Sequence, residues 1–514
     1  MTTVIDRPDV VAAAKDRTEV LAASLADLVE DFDELRALAA DAGTRLAGAR
    51  RRVDAMRRSF LQSTRSLVNS EMARASGELA AVASRAEAFG DAARGARPTD
   101  RAVGRLAAER RRLADLLRFQ RTVAAAVITG TDWQSPSFGH SVFPAAGRFA
   151  GRVREHHDDY RRDRHPDAAW FEAAYLDQYV DRPLHTPLRA LMTACGMAGF
   201  ATILHFLVAD AGVRGPVLLG RRAYHECRDL VLRSPLGPVV EVDEANPAAV
   251  AEAVDHHRPE AVFVDALCNA KGITLPDLGG IVRAMARSVP GAFLVVDTTG
   301  LSCAVQPFAL GGAGALRVIT LESLTKYAQF GLDRVAAGMV VALAGDGERL
   351  DECREHLGTN ASDLVPYVVP FPDRRLLRRR LVRIGRNALP IAAAVGAAAE
   401  GVVTGASYPG LASHPGVLDG LWFRGGYLGV EFAASRDRLD CHREFVDLVL
   451  ATAAARGIPV IAGASFGFDT TRVYLTACRT DHGEPFVRVA AGTEHLAAAR
   501  EVAAVFAAAA RGLR

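Results

Sequence analysis

The chain has 514 residues, half of them apolar and 24% charged, which excludes wholesale disorder and allows large buried cores without disulfide or metal staples. Its 62 basic residues are balanced by 60 acidic ones, a formal net charge of +2, so the electrostatics do not point to a nucleic acid as partner. Among the 62, 59 are arginine and three are lysine, at Lys15, Lys271 and Lys326; since a guanidinium does not deprotonate in proteins, only those three positions can supply an amine nucleophile.

Residues 1–128 are rich in Ala, Leu, Arg and Glu. From Leu21 through Leu25, Leu28, Phe32 and Leu35 to Leu67 the apolar positions keep an unbroken 4-3 spacing, which predicts one long helix with a single seam. Gly95 and Pro98 interrupt it, and Thr99 or Asp100 is placed to cap a second helix running to about 128. This helical arm reads equally as a coiled coil for assembly or as a hairpin packed on its own core.

The texture changes from about 185 onward. Apolar runs at 216–220, 261–266, 292–298, 316–322 and 337–343 alternate with helical stretches, predicting an α/β domain over 129–370 with a mostly parallel sheet covered on both faces. An arginine-rich helical segment at 371–390 opens a smaller C-terminal α+β domain over 371–514. The seven cysteines are scattered and never spaced as CxxC, which argues against a thiolate metal site or a disulfide framework. No run of about 18 apolar residues occurs, and the N-terminus has no signal-peptide core. The expectation is a cytoplasmic protein with no membrane or metal partner; the run His156, His157, Asp158, Asp159 reads as solvated.

Lys15 falls in the helical arm and Lys271 in a turn. Lys326 follows a buried-type strand and comes 29 residues after Asp297, which closes another such strand. An acid and a lysine at the carboxyl ends of two such strands lie where ligands bind in open α/β sheets. Pyridoxal phosphate suits that pair, because it needs an amine to hold it, a carboxylate at its ring nitrogen and donors around its phosphate. Ser323 and Thr325 alternate before Lys326, so on an extended segment both hydroxyls face one way, toward a phosphate. The turn holding Gly196 and Met197 opens a helix whose N–H groups suit the same anion.

With these motifs in this order, the chain resembles the fold-type-I pyridoxal-phosphate enzymes of cysteine and methionine metabolism, the cystathionine γ-synthase, cystathionine β-lyase and methionine γ-lyase family. The resemblance covers about 135–514 and rests on Cys195-Gly196-Met197, Asp297-Thr298-Thr299, the segment 322–327 and SYPGLASHP at 407–415. It implies that Lys326 and Tyr224 are catalytic, with Tyr224 stacking on the cofactor. It further implies that Asp297, Thr299, Ser323, Thr325, Gly196, Met197 and Asn269 hold the cofactor. Tyr160 and Arg162 match a segment that reaches a neighbouring subunit's phosphate, which implies a homodimer or homotetramer. Arg488, between apolar residues in FVRVA, takes the place of the substrate-carboxylate arginine, with Ser465 as its helper. Departures sit beside these positions: Cys195 replaces a serine, His225 and Glu226 replace glycines, and Asn269 is followed by Ala270.

The implied activity is that of a lyase or transferase on the side chain of a small L-amino acid, by γ-elimination or γ-replacement of a thioether, O-acyl or halide group. A β-lyase of a sulfur amino acid, an aminotransferase and a non-catalytic assembly protein that kept the fold remain the alternatives.

Overall fold

The computed structural model describes residues 16–55, 59–130, 166–414, 421–478 and 483–513. Three helices form the N-terminal part, α1 (Arg17–Ala55), α2 (Ser59–Gly95) and α3 (Asp100–Thr129). The seam expected from 21 to 67 is buried on α1 from Leu21 to Ala49, but Leu67 is 66% exposed. Instead of one long helix there is a hairpin: α2 folds back and turns Met72, Ala75, Leu79, Val82 and Ala86 inward, and the Phe32 and Phe89 rings stack with centroids 5.7 Å apart. The second seam keeps helical spacing in a new phase, which a single-period reading merges with the first. Thr99 caps α3 as expected, accepting the Ala102 N–H at 3.2 Å.

Next come α4 (Pro166–Tyr179), β1 (Leu188–Thr193), α5 (Gly196–His205), β2 (Val217–Gly220), α6 (His225–Leu232), β3 (Val239–Val242), α7 (Pro247–His257), β4 (Ala261–Asp265), α8 (Leu278–Ser288), β5 (Phe293–Asp297), β6 (Arg317–Ser323), β7 (Gly338–Leu343) and α9 (Ala344–Leu357). The described residues form a seven-stranded sheet in the order β1-β7-β6-β5-β4-β2-β3. Pairing is parallel from β3 through β6, while β7 runs antiparallel to both β6 and β1. β2, β4 and β5 are covered on both faces and are apolar up to their closing residue, while β6 is buried from Val318 to Glu322. Their carboxyl ends share one edge, where Asp265 and Asp297 stand in register.

After the short α10 (Val365–Val368), α11 (Arg374–Ala397) leads to β8 (Val403–Ser407), β9 (Tyr427–Phe432), α12 (Leu439–Arg456), β10 (Ile461–Ala462), β11 (Arg472–Thr476), β12 (Phe486–Ala490) and α13 (Leu496–Gly512). The second sheet has the order β10-β11-β12-β9-β8.

The arginines of α11 explain how the helical arm is seated. Arg386 donates to Asp27 at 2.7 Å, Arg383 to Asp31 and Glu30 at 2.5 Å each, and Arg380 to Glu34 at 2.8 Å, all on α1. Burial pushes the Asp27 carboxyl up, but Arg383 and Arg386 outweigh it and hold the group below its usual range. The arm therefore packs against its own chain through buried, paired charges rather than an apolar seam alone. No helix among the described residues is long and apolar enough to cross a membrane.

Candidate active site

The carboxyl ends of β4, β5 and β6, the start of α5, the start of α6 and the loop before β11 enclose a cavity of about 810 Å³. Lys326, Asp297, Thr299, Ser323, Gly196, Met197, Tyr224, Asn269, Ser465 and Arg488 all line it. Residues as far apart in the chain as Gly196 and Arg488 thus converge, as the sequence motifs require.

Lys326 follows β6 in a turn and is mostly buried. Burial and the neighbouring Arg488 lower its amine to about 8, and its Nζ donates to Ser465 Oγ at 2.7 Å. Asp297 accepts the Thr299 N–H at 2.8 Å, while burial holds its carboxyl above the usual range against the partial offset of Thr299 and Lys326. Asp265, its register partner, accepts the Tyr224 N–H at 2.8 Å and is pushed up by burial and by Asp297 itself. Among the described residues no salt bridge reaches either acid. Asp265 is buried and Asp297 half-buried; two acids on one edge with no ion-pair partner among the described residues are costly to ionise together, and a cationic ring nitrogen placed there would relieve that cost.

In the same cavity, Arg488 is 6% exposed and donates to Asn269 Oδ1 at 2.8 Å. Its guanidinium lies 5.7 Å from the ring centroids of both Tyr427 and Phe466. No carboxylate of the described residues pairs with it, so a buried, half-satisfied guanidinium faces the cavity and fits an incoming carboxylate. Tyr224 caps α6, and its phenol is pushed up by burial first and by Glu226 second, which keeps it protonated.

The phosphate side is built by close approach. A Cβ on Gly196 would lie 2.9 Å from Ser323 Cβ, and one on Gly199 would lie 2.7 Å from Leu321 Cδ1, so α5 starts directly against the end of β6. The N–H groups of Gly196 and Met197 precede the helix's own hydrogen-bond ladder and are available to an anion. Cys195 is the N-cap, its Sγ accepting the Ala198 N–H at 3.3 Å.

Two expectations need correction or restriction. The segment 323–326 is not extended: β6 ends at Ser323, Lys326 N bonds Ser323 O at 3.2 Å, and the turn sends Thr325 Oγ1 toward Ala337 N, 3.4 Å away. Thr325 consequently does not line the cavity, while Ser323 does. Tyr160 and Arg162 lie outside the described residues. Of the other lysines, Lys271 pairs with Asp437 and, at 3.4 Å, with Glu484, as suits a turn lysine, and Lys15 also lies outside.

The sequence reading overlooked Asp265, Tyr427 and Phe466, all of which line the cavity, and noted Glu226 only as a departure from glycine. Asp265 closes the apolar run AVFVD as Asp297 closes FLVVD, so the same strand-end signal was present twice.

No protein-family model matches the chain. Among curated proteins it is 25% identical over 342 residues to the bifunctional enzyme flvA of Aspergillus flavus, a match covering 65% of this chain and 41% of that protein. The chain thus spans about two-fifths of that relative's length. Among solved structures it is similar to cystathionine gamma synthase from Xanthomonas oryzae pv. oryzae in complex with aminoacrylate and cysteine, with TM-score 0.56, 21% identity, and coverage of 71% of this chain and 90% of that one. The apo methionine gamma lyase CalE6 of Micromonospora echinospora gives 0.54, 21%, 68% and 88% in the same terms. Cystathionine gamma-lyase from Lactobacillus plantarum complexed with L-serine gives 0.55, 18%, 70% and 90%. These likenesses establish the fold, the fold-type-I architecture that the order of motifs implies.

Proposed function

We propose that the protein is a pyridoxal-phosphate-dependent lyase or transferase acting on the side chain of a small L-amino acid, by γ-elimination or γ-replacement. The observation that carries this reading is the mostly buried amine of Lys326 in one cavity with Asp297, a half-buried acid that has no salt-bridge partner among the described residues. The residues fit the cofactor: Lys326 would hold it covalently, Asp297 would meet its ring nitrogen, and Ser323 with the first N–H groups of α5 would meet its phosphate. Bound there, pyridoxal phosphate supplies an electron sink for a carbanion at the substrate's α-carbon.

The rest of the chemistry falls to the chain. Arg488, oriented by Asn269, binds the substrate carboxylate and fixes which bond at the α-carbon is broken. An amine lowered to about 8 is a competent base near neutral pH, so Lys326 Nζ takes the α-proton once the substrate has displaced it, and afterwards moves the β-proton that γ-chemistry requires. Tyr224, held protonated, donates to the leaving group. Family analogy favours γ- over β-chemistry, and the relatives with similar folds include a gamma synthase and two gamma lyases.

In the same proposal the catalytic unit is a homodimer or homotetramer to which Tyr160 and Arg162 contribute across subunits, and the seven unpaired cysteines suit a reducing, cytoplasmic setting. The test is to incubate the pyridoxal-phosphate-loaded protein with thioether, O-acyl and halogenated amino acids and to measure ammonia and α-keto acid. Release of both supports the reading. Stoichiometric pyridoxamine phosphate that depends on a keto acid would replace it with an aminotransferase.

A further inference from the structure

The helical arm reaches the reaction centre through one carboxylate. The loop 463–471 between β10 and β11 carries Ser465, which accepts from Lys326 Nζ at 2.7 Å, and Phe466, whose ring centroid lies 5.5 Å from the same atom. Its backbone is costly to hold: Ser465 has φ 77, and Gly467 has φ +88 where a Cβ would lie 2.9 Å from both Lys326 C and Tyr327 N. Such a loop keeps its shape only where the surroundings impose it.

Asp469 imposes it here. One carboxylate oxygen accepts from Arg110 of α3 at 2.8 Å and the other from Arg380 of α11 at 2.6 Å. Arg380 also donates to the Gly467 carbonyl at 3.1 Å and to Glu34 of α1 at 2.8 Å, and Arg110 Nε lies 3.5 Å from Asp31 of α1. Burial alone would raise the Asp469 carboxyl, but the two guanidinium groups outweigh it and hold the group far below its usual range. On the other side of Lys326, Arg118 of α3 donates to the carbonyls of Gly331 at 3.0 Å and Leu332 at 2.7 Å. One helix of the arm therefore grips both loops that follow or cover the lysine.

We propose that Arg110 and Asp469 are positioning residues for Lys326, and that the helical arm is a working part of the active site because it sets the seat of Ser465 and Phe466 on the lysine amine. The functional half rests on the cofactor reading of Lys326; the loop geometry does not. Neither residue lines the cavity, so neither touches the reacting atoms.

The experiment compares the full-length protein with Arg110→Gln, Arg110→Lys and Asp469→Asn, using Arg112→Gln on the exposed face of α3 as control. Amide hydrogen exchange of the cofactor-free protein is read first. Segment 463–471 should exchange about tenfold faster in Arg110→Gln and Asp469→Asn, by less in Arg110→Lys, and as wild type in the control. The pH midpoint for uptake of pyridoxal phosphate at Lys326 is read second, and it should move by about half a unit in the first two variants and return in Arg110→Lys. Wild-type exchange in 463–471 for both Arg110→Gln and Asp469→Asn overturns the proposal, as does faster exchange with an unmoved midpoint. Should Arg110→Gln lose its fold, Asp469→Asn set against the wild type and Arg112→Gln carries the same comparison. A protein whose loop responds as stated but which never takes up pyridoxal phosphate sinks the cofactor reading and the functional half of this inference, leaving only the loop coupling.

Discussion

Lys326 Nζ donates to Ser465 Oγ over 2.7 Å, tying the turn after β6 of the large sheet to the loop before β11 of the small one. The family resemblance assigns Ser465 to the side of Arg488, and the cavity contains both, but the bond made is to the lysine. Ser465→Ala removes that bond, worth about 1 kcal/mol, so turnover should fall roughly fivefold while urea unfolding changes by less than about 1 kcal/mol. Because Ser465 has φ 77, Ser465→Gly should be the more stable variant yet equally slow. Wild-type turnover in both variants would show that the bond is not used.

Burial first, and Arg488 second, bring the Lys326 amine down to about 8 from 10.5. Covalent uptake of pyridoxal phosphate needs the neutral amine, so its rate should rise with pH and reach half its maximum near 8. Arg488→Leu removes a like charge, and the midpoint should move upward. The sign for stability follows from the same shift: the folded protein binds this proton more weakly than the unfolded chain, so its cost is full below pH 8 and fades as pH rises toward 10.5. A midpoint near 10.5 in the wild type contradicts the buried setting of the lysine.

Gly196 is required by the approach of α5 to β6. Gly196→Ala puts a methyl group 2.9 Å from Ser323 Cβ, which should cost about 1–3 kcal/mol in stability and raise the dissociation constant for pyridoxal phosphate at least tenfold by moving the phosphate donors. Gly95→Ala, with nothing within 4 Å of the new methyl, is the matched control and should leave both unchanged. Equilibrium dialysis with equal affinities in the two variants would remove α5 from the phosphate site.

The buried charges under the arm predict an asymmetric response. Arg383→Ala takes from the buried Asp31 its partner at 2.5 Å, leaving it only Arg110 at 3.5 Å while Asp27 keeps Arg386, and should cost about 3–5 kcal/mol. Arg17→Ala breaks an exposed pair with Asp100 and should cost less than about 1 kcal/mol. Chemical denaturation measures both; equal losses would mean that the arm is not held by its buried ion pairs.

Much of the site was legible because its chemistry lies at the ends of apolar strands. Asp297 and Lys326 stand out since a titratable group closing a buried β-run is rarely idle, and the scarcity of lysine narrowed the amine to three positions. Asp265 carries the same signal, closing AVFVD as Asp297 closes FLVVD. Thr325 does not follow Ser323 to the cavity because alternation along SxTK presumes an extended chain, whereas the strand ends at Ser323 and turns. In the arm, the 4-3 spacing continued through the point where the chain reverses, so periodicity registered helices but not the hairpin. The grip of Arg110 on Asp469 joins residues 359 positions apart, and among 59 arginines nothing local distinguishes this one.

The central claim is that Lys326 is the cofactor lysine, and the direct measurement is its chemical trapping. The protein is loaded with pyridoxal phosphate, reduced with borohydride and digested, and the modified peptide is identified by mass spectrometry alongside the visible absorbance of Lys326→Ala and Lys271→Ala. The account predicts the phosphopyridoxyl group on Lys326, a colourless Lys326→Ala and a yellow Lys271→Ala. Label on Lys271, or colour that persists in Lys326→Ala and vanishes in Lys271→Ala, would contradict it.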